Sequence, residues 1–243
     1  MTPASAFSAL RLALWTKTGT VTLDDIDRSS HFVLAREALA DGDVDETRDQ
    51  IDRAERQADV LKQYSIRWIA ELLSWIGETE GEVAVEAALR RFGERNLADR
   101  AEPDNDWWSV PAEVRAKVVA RAMLANGAEI ELDEDDEKIV MSFRCGTGGM
   151  LIDSGAYEGD AALLQLTESG PRTFGRDSLW VYCAHCSVNN EIQAVEMTGR
   201  LTTVEFPPER AGEPCVHHVY RRPQDIPEEI YVRIGKTKPA SDC

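Results

Sequence analysis

The apolar residues in the first half of the chain recur at steps of three and four, the spacing that places them on one face of an α-helix. Glycine, proline and capping residues interrupt this pattern at intervals, as they do between separate helices. The pattern predicts helices over residues 4–16, 22–40, 44–76, 82–96 and 109–126.

The longest of these predicted helices carries one nearly continuous apolar stripe, as expected for a helix in a bundle. The stripe consists of Ile51, Ala54, Ala58, Leu61, Ser65, Trp68, Leu72 and Trp75. Its regular spacing favours burial against partner helices, within the chain or in a homo-oligomer formed through the helical region. A second interpretation is a substrate pocket near the end of this helix, where aromatic and basic side chains gather: Tyr64, Arg67, Trp68 and Trp75.

Beyond Gly127 the apolar period changes to two residues, which is typical of β-strands. The alternation predicts a hairpin over residues 130–143 with an acidic turn, and further strands over 179–182, 201–206 and 215–221. A short helix is predicted over 189–197. The C-terminal segment is expected to dock through Ile226, Ile230 and Tyr231.

This order of elements predicts the fold class, because runs of helices followed by runs of strands are typical of α+β proteins. We expect a bundle-like helical region over residues 1–127. A small antiparallel β region over residues 128–243 is expected to follow it, clasped by a metal site.

The residues with metal-binding chemistry cluster in the predicted β region. Four of the five cysteines (Cys145, Cys183, Cys186 and Cys215) and three of the four histidines lie within residues 145–218 of that region. Cys183 and Cys186 are separated by two residues, so their thiolates can point at one centre about 2.3 Å from each sulfur, as tetrahedral zinc requires. The sequence therefore predicts a zinc site with these four cysteines as ligands.

Alternation along the last predicted strand places Cys215 and His217 on one face and His218 on the other. His217 is thus expected beside the metal. The glycine-rich residues 146–149 follow Cys145 directly, and they let the backbone wrap around a metal-bound sulfur and aim N–H groups at it. A strand is expected after this loop, which disfavours a phosphate-binding loop.

The residues leave the role of the metal open. A closed four-cysteine zinc site is usually structural, whereas a catalytic zinc keeps one position for water or substrate. An iron–sulfur cluster is a further alternative, although the spacing fits neither ferredoxin pattern. The nearby histidines favour catalysis, because they titrate near neutrality and structural zinc sites do not need them.

Charge and cysteine usage restrict the partners and the compartment. The formal net charge of −17 at pH 7 disfavours binding to nucleic acids and anionic membranes, whose phosphates would be repelled. The sequence shows no signal peptide and no apolar run long enough to span a membrane. Clustered thiols in a chain of this size favour metal binding in a reducing cytoplasm over disulfides.

Together these features predict a cytoplasmic zinc-dependent enzyme that acts on a small molecule by hydrolysis or elimination. The substrate is expected between the aromatic end of the long helix and the metal-bearing β region. His217 or His185 would move the proton, and Tyr182 and Asp153 lie near the cysteines in sequence as further catalytic candidates. The alternative is a non-catalytic binding or adaptor protein with a structural zinc and a helical groove for a ligand or partner.

Overall fold

The computed structural model describes residues 29–96 and 107–240. Backbone contacts divide the chain into two compact units, one ending at Val60 and the other beginning at Leu61. The helix predicted over residues 4–16 and the start of the next lie outside the described residues. The predicted domain boundary at residue 127 falls within the second unit, and it stays a prediction.

The predicted helices are present wherever the structure describes them. The α-helices are α1 (His31–Ala40), α2 (Val44–Glu80), α3 (Glu82–Asn96), α4 (Ala112–Ala125), α5 (Gly148–Asp153), α6 (Gln193–Thr198) and α7 (Glu228–Val232). Short 3-10 turns lie at Trp107–Ser109, Pro171–Thr173, Val181–Cys183 and Pro223–Asp225. A π-helix covers Cys186–Ile192. In the described chain no helix combines the length and apolarity needed to cross a membrane.

The face of α2 that is buried in the second unit differs from the predicted stripe. Ile66, Ala70 and Leu73 are buried, whereas Trp68 is 60% and Trp75 61% exposed. The small residues Ser74 and Gly77 explain the difference, because they allow the segment that contains Leu164 to approach the helix closely. A Cβ atom on Gly77 would lie 2.2 Å from Leu164 Cδ2, and the Leu164 N–H donates to Ser74 Oγ at 2.9 Å.

A four-stranded antiparallel sheet forms the β part of the second unit. Its strands are β1 (Ile130–Glu134), β2 (Lys138–Phe143), β5 (Val204–Phe206) and β6 (Cys215–Tyr220), in the order β1-β2-β6-β5. A separate two-stranded sheet pairs β3 (Gln165–Leu166) with β4 (Leu179–Trp180). The chain is therefore an α+β protein, as predicted, while the metal clasp stays a prediction.

The two faces of β6 contribute to different cores. Cys215 and Val219 pack with Met141 of β2 and Ala116 of α4. Tyr220, which points to the other face, belongs to the larger core built around the π-helix and the C-terminal segment. The predicted anchors of that segment, Ile226, Ile230 and Tyr231, are all buried there. Strand β6 thus separates two apolar layers and presents residues to both.

Local structure differs from prediction at three places around the cysteines. Helix α5 begins at Gly148, within the glycine-rich residues, and a strand was expected after them. Cys183 ends a 3-10 turn and Cys186 begins the π-helix, so the C-x-x-C segment is helical. Strand β5 begins at Val204 and not at residue 201. The strand prediction after the glycine loop is wrong. Gly148, Gly149, Leu151 and Ile152 are all buried, and a helical turn places them on one side of the chain.

Candidate functional site

The four predicted zinc ligands come from three separate segments of the second unit. Strand register pairs Phe143 with Cys215, so Cys145, two residues beyond Phe143, lies near the start of β6. Cys183 and Cys186 enter from the 3-10 turn and the π-helix. All four are free thiols, and only Cys145 is partly exposed.

The thiols of Cys186 and Cys215 interact electrostatically with the other cysteines. Burial raises the pKa of the Cys186 thiol well above its ordinary value, and negative charge on Glu205 and on the other three cysteines raises it further. Burial likewise raises the pKa of Cys215, with Cys145 as the next largest cause. Thiols that repel one another when ionised form a cluster that a divalent cation would stabilise.

The glycine loop fits closely against this cluster. A Cβ atom on Gly148 would lie 2.8 Å from Cys183 Sγ, and one on Gly146 would lie 1.7 Å from the carbonyl oxygen of Asn126. The hydroxyl of Thr147 is 3.1 Å from Cys145 Sγ. Gly148 thus leaves room for a cysteine sulfur, while the predicted wrapping of the backbone around a metal-bound sulfur stays a prediction.

His185 is held between the backbone and one of the thiols. Its Nδ1 lies 2.6 Å from the carbonyl oxygen of Tyr182, which can only accept, so Nδ1 carries the proton. In the neutral ring, Nε2 is then an acceptor, and it lies 3.5 Å from Cys186 Sγ. The Tyr182 ring packs edge-on against the imidazole, and burial raises the pKa of Tyr182 to about 12.

His217 is deeply buried next to a carboxylate. Register pairs it with Glu205 across β5 and β6, and the His217 Nε2 atom lies 3.8 Å from Glu205 Oε2. The side-chain amide of Asn190, on the π-helix, donates to both carboxylate oxygens at 3.1 and 3.2 Å. Burial lowers the pKa of His217, while Glu205 raises it and His185 lowers it. His217 Nδ1 is buried without a hydrogen-bond partner in the described chain.

A cavity of about 280 Å³ reaches this pair. It lies between α4, the π-helix with α6, and the β5–β6 edge of the sheet. Its polar end contains His217, Glu205 and Asn190. The apolar wall consists of Val118, Val119, Ala122, Met123, Ala194 and Met197. A largely apolar concave site with a few convergent polar groups is the usual form of a small-molecule site.

The metal itself stays a prediction. In the ranges 29–96 and 107–240, no three His, Cys, Asp or Glu side chains are arranged so that they could hold a metal ion. Electrostatic interactions nonetheless link the four cysteines, and His185 Nε2 lies 3.5 Å from Cys186 Sγ. These four thiols are the residues that would hold a zinc ion, because soft sulfur ligands suit it.

The predicted substrate-binding residues lie elsewhere on the second unit. Tyr64, Trp68 and Trp75 are exposed on α2, and Arg67 donates to Glu71 at 2.7 Å. None of the four lines the cavity beside His217. Their assignment to a substrate stays a prediction without support from this cavity.

The catalytic candidate Asp153 takes part in surface contacts. It pairs with Arg144 at 2.6 Å and accepts the Gly212 N–H at 2.8 Å. Tyr182, in contrast, lies next to the thiols, since Cys145, Cys186 and Cys183 are each among the causes that raise its pKa. Of the four predicted catalytic residues, only His217 lines the cavity.

Sequence reasoning missed Glu205, Asn190 and a buried ion pair behind them. Glu191 is completely buried, and its Oε1 accepts from Arg233 Nη2 and from the Glu205 N–H, both at 2.6 Å. The sequence offered one signal for Glu205, which is its position between two apolar residues of a predicted strand, Val204 and Phe206. Its pairing with His217 depends on strand register, which the sequence does not give.

Comparison with protein-family models, with curated proteins and with solved structures gives no significant match. The functional argument therefore depends on the geometry of the site.

Proposed function

We propose that this chain is a zinc-dependent cytoplasmic enzyme that acts on a small molecule by hydrolysis or elimination. The observation that carries the proposal is that His217 lines a cavity and also lies two residues from Cys215 on the same face of β6. One strand therefore connects the candidate zinc site to the candidate reaction site. The described cysteines form no disulfide, which suits a reducing compartment.

The proposed zinc is bound by Cys145, Cys183, Cys186 and Cys215. Four sulfur ligands fill the tetrahedral shell, so the zinc would have no open position for water. Its contribution would be to hold the starts of β6 and the π-helix together. Those two elements carry His217 and Asn190, so the metal would fix the geometry of the reaction site.

Proton transfer is assigned to His217. The Glu205 carboxylate lies beside Nε2 and favours a proton on that nitrogen, which leaves the unpartnered Nδ1 as the base. Both hydrolysis and elimination begin with removal of a proton, from water in the first case and from carbon in the second. His185 binds the Tyr182 carbonyl and faces a thiol, so its role is to support the cluster.

The test is a turnover assay with nitrophenyl esters for hydrolysis and small β-hydroxy carbonyl compounds for elimination of water. Wild-type protein is expected to convert members of one panel, and His217→Ala to lose at least about a hundredfold in kcat/KM, the usual effect of removing a general base. His218→Ala is the matched control, since His218 lies on the other face of β6 and outside the cavity. Equal activity of His217→Ala and wild type would contradict the assignment.

A second candidate function is supported by the exposed face of α2. Tyr64, Trp68, Leu72 and Trp75 are all exposed large apolar residues on one helix. Such an apolar surface is typical of a protein–protein contact, and it favours the binding or adaptor function or a homo-oligomer. Light scattering after size-exclusion chromatography tests the homo-oligomer. Trp68→Glu combined with Trp75→Glu is expected to convert an oligomer to monomer, whereas a monomeric wild type would contradict self-association.

A further inference from the structure

We infer that the cavity beside His217 binds a small organic cation, with an ammonium or amidinium group on Glu205 and a compact apolar body against the α4–α6 wall. The inference deepens the proposed function, on which it rests, by naming the class of substrate. It begins from Glu205, which is only 3% exposed although it lines the cavity. A buried carboxylate needs hydrogen-bond donors and positive charge to offset its loss of hydration.

Few hydrogen-bond donors reach the Glu205 carboxylate from residues 29–96 and 107–240. A carboxylate has about four acceptor sites. The amide of Asn190 supplies one donor group, and His217 Nε2 at 3.8 Å is too distant for a hydrogen bond. The remaining acceptor capacity is available to N–H donors that enter through the cavity.

Positive charge within salt-bridge distance of this carboxylate is also scarce in the described residues. In the part of the chain that the structure describes, His217 is the one cation-forming side chain within 4.0 Å of it. Arg233 approaches from the opposite side, but its Nη2 donates to the backbone oxygen of Glu205 at 2.9 Å and to Glu191 at 2.6 Å. Arg233 is therefore held by the Glu191 side chain and the Glu205 backbone, and none of these bonds is to the Glu205 carboxylate.

Two of the other polar residues that line the cavity are already engaged in hydrogen bonds within the chain. Asn189 donates to the Leu89 carbonyl and to Gln193 at 2.8 and 2.7 Å, and the Thr198 hydroxyl donates to the Ala194 carbonyl at 2.7 Å. Among the described residues that line the cavity, Glu205 is the one acidic side chain, so recognition of positive charge is concentrated there. The apolar wall and the volume of about 280 Å³ suit a body of one small ring or branched chain. Anions are disfavoured by Glu205 and by the net charge of −17.

The experiment measures binding to the full-length protein by isothermal titration calorimetry, with three probes of the same shape: cyclohexylammonium, cyclohexanol and cyclohexanecarboxylate. The cation is expected to bind at least about tenfold more tightly than the alcohol, the factor that a charge-assisted hydrogen bond supplies. The anion is expected not to bind. Glu205→Gln should lose about tenfold for the cation and little for the alcohol. The control Glu213→Gln, which removes a partly exposed charge paired with Arg210 and outside the cavity, should bind as wild type does.

Two results would overturn the inference: equal or tighter binding of cyclohexanol or the carboxylate to wild type, or unchanged affinity of folded Glu205→Gln for the cation. The comparison of probes on wild type decides the matter even if the variant does not fold. Binding is measured without turnover, so the two proposals fail separately. Cation selectivity in a protein without zinc or turnover supports this inference and contradicts the enzyme. Turnover without cation selectivity supports the enzyme and contradicts this inference.

Discussion

Glu205 and His217 are register partners on neighbouring antiparallel strands, and their side chains meet with 3.8 Å between Glu205 Oε2 and His217 Nε2. The carboxylate and the imidazole are both nearly inaccessible to solvent, yet both line one cavity. A carboxylate beside an imidazole can fix its orientation and its tautomer. This pair is therefore the part of the molecule best suited to chemistry, and the cysteine cluster lies at the end of the same strand.

Replacing a cysteine of the cluster tests the role of the proposed zinc. Cys183→Ser is expected to lose the metal and to lower the melting temperature sharply, because zinc binding in structural sites, about 10–16 kcal/mol in small zinc domains, is largely folding free energy. Metal content and thermal unfolding are measured together. Cys243→Ser, at a cysteine outside the described residues and the predicted ligand set, is the control. Retention of full stability by Cys183→Ser would contradict a structural zinc.

Gly148 is expected to tolerate no side chain. The Cβ atom of Gly148→Ala would lie 2.8 Å from Cys183 Sγ, so we expect a loss of about 1–3 kcal/mol in the free energy of unfolding, typical of overpacking. Gly170→Ala is the matched control, because a Cβ atom there meets nothing within 4 Å. Urea unfolding of both variants measures the difference. Equal stability of the two would show that the loop does not press on the thiol.

Leu73 and Trp68 test which face of α2 is buried. Leu73→Ala is expected to cost about 2–5 kcal/mol, because Leu73 is buried in the main core. Trp68→Ala, on the exposed face, is expected to change the free energy of unfolding by less than about 1 kcal/mol. Denaturant unfolding gives both values. A larger loss for Trp68→Ala would favour the stripe predicted from the sequence.

Glu191 gives the stability of the protein a pH dependence. Burial raises its pKa from 4.5 to about 8, although Arg233 acts in the opposite direction. Between these values the folded chain keeps a proton that the unfolded chain has lost, so the free energy of unfolding falls as pH rises from about 4.5 to about 8. Glu191→Gln should remove this part of the dependence. Unfolding of both proteins at pH 5 and pH 8 measures it, and identical pH slopes would contradict the raised pKa.

Local patterns predicted much of this structure. Periodicity predicted the limits of α3, the β1–β2 hairpin and the shared face of Cys215 and His217. Side-chain direction in a helix or a strand follows from backbone geometry, so these features need no knowledge of distant contacts. The four cysteines were recognisable as a group by their number and the C-x-x-C spacing.

Features that depend on packing between distant segments were not predictable in this way. Both faces of α2 carry apolar residues, and the choice between them depends on how closely Leu164 approaches Gly77. The pairing of Glu205 with His217 depends on register between strands joined by a loop. The π-helix that brings Asn190 to Glu205 also has no clear sequence signal.

The central claim is a zinc ion held by the four clustered cysteines next to the His217 cavity, and the metal content of the protein tests it most directly. Elemental analysis is made on full-length protein purified without added metal or chelator. The account predicts one zinc ion per chain, and none in Cys183→Ser or Cys215→Ser. Wild-type protein that is folded but contains no zinc, or that contains iron with visible absorbance, would contradict it.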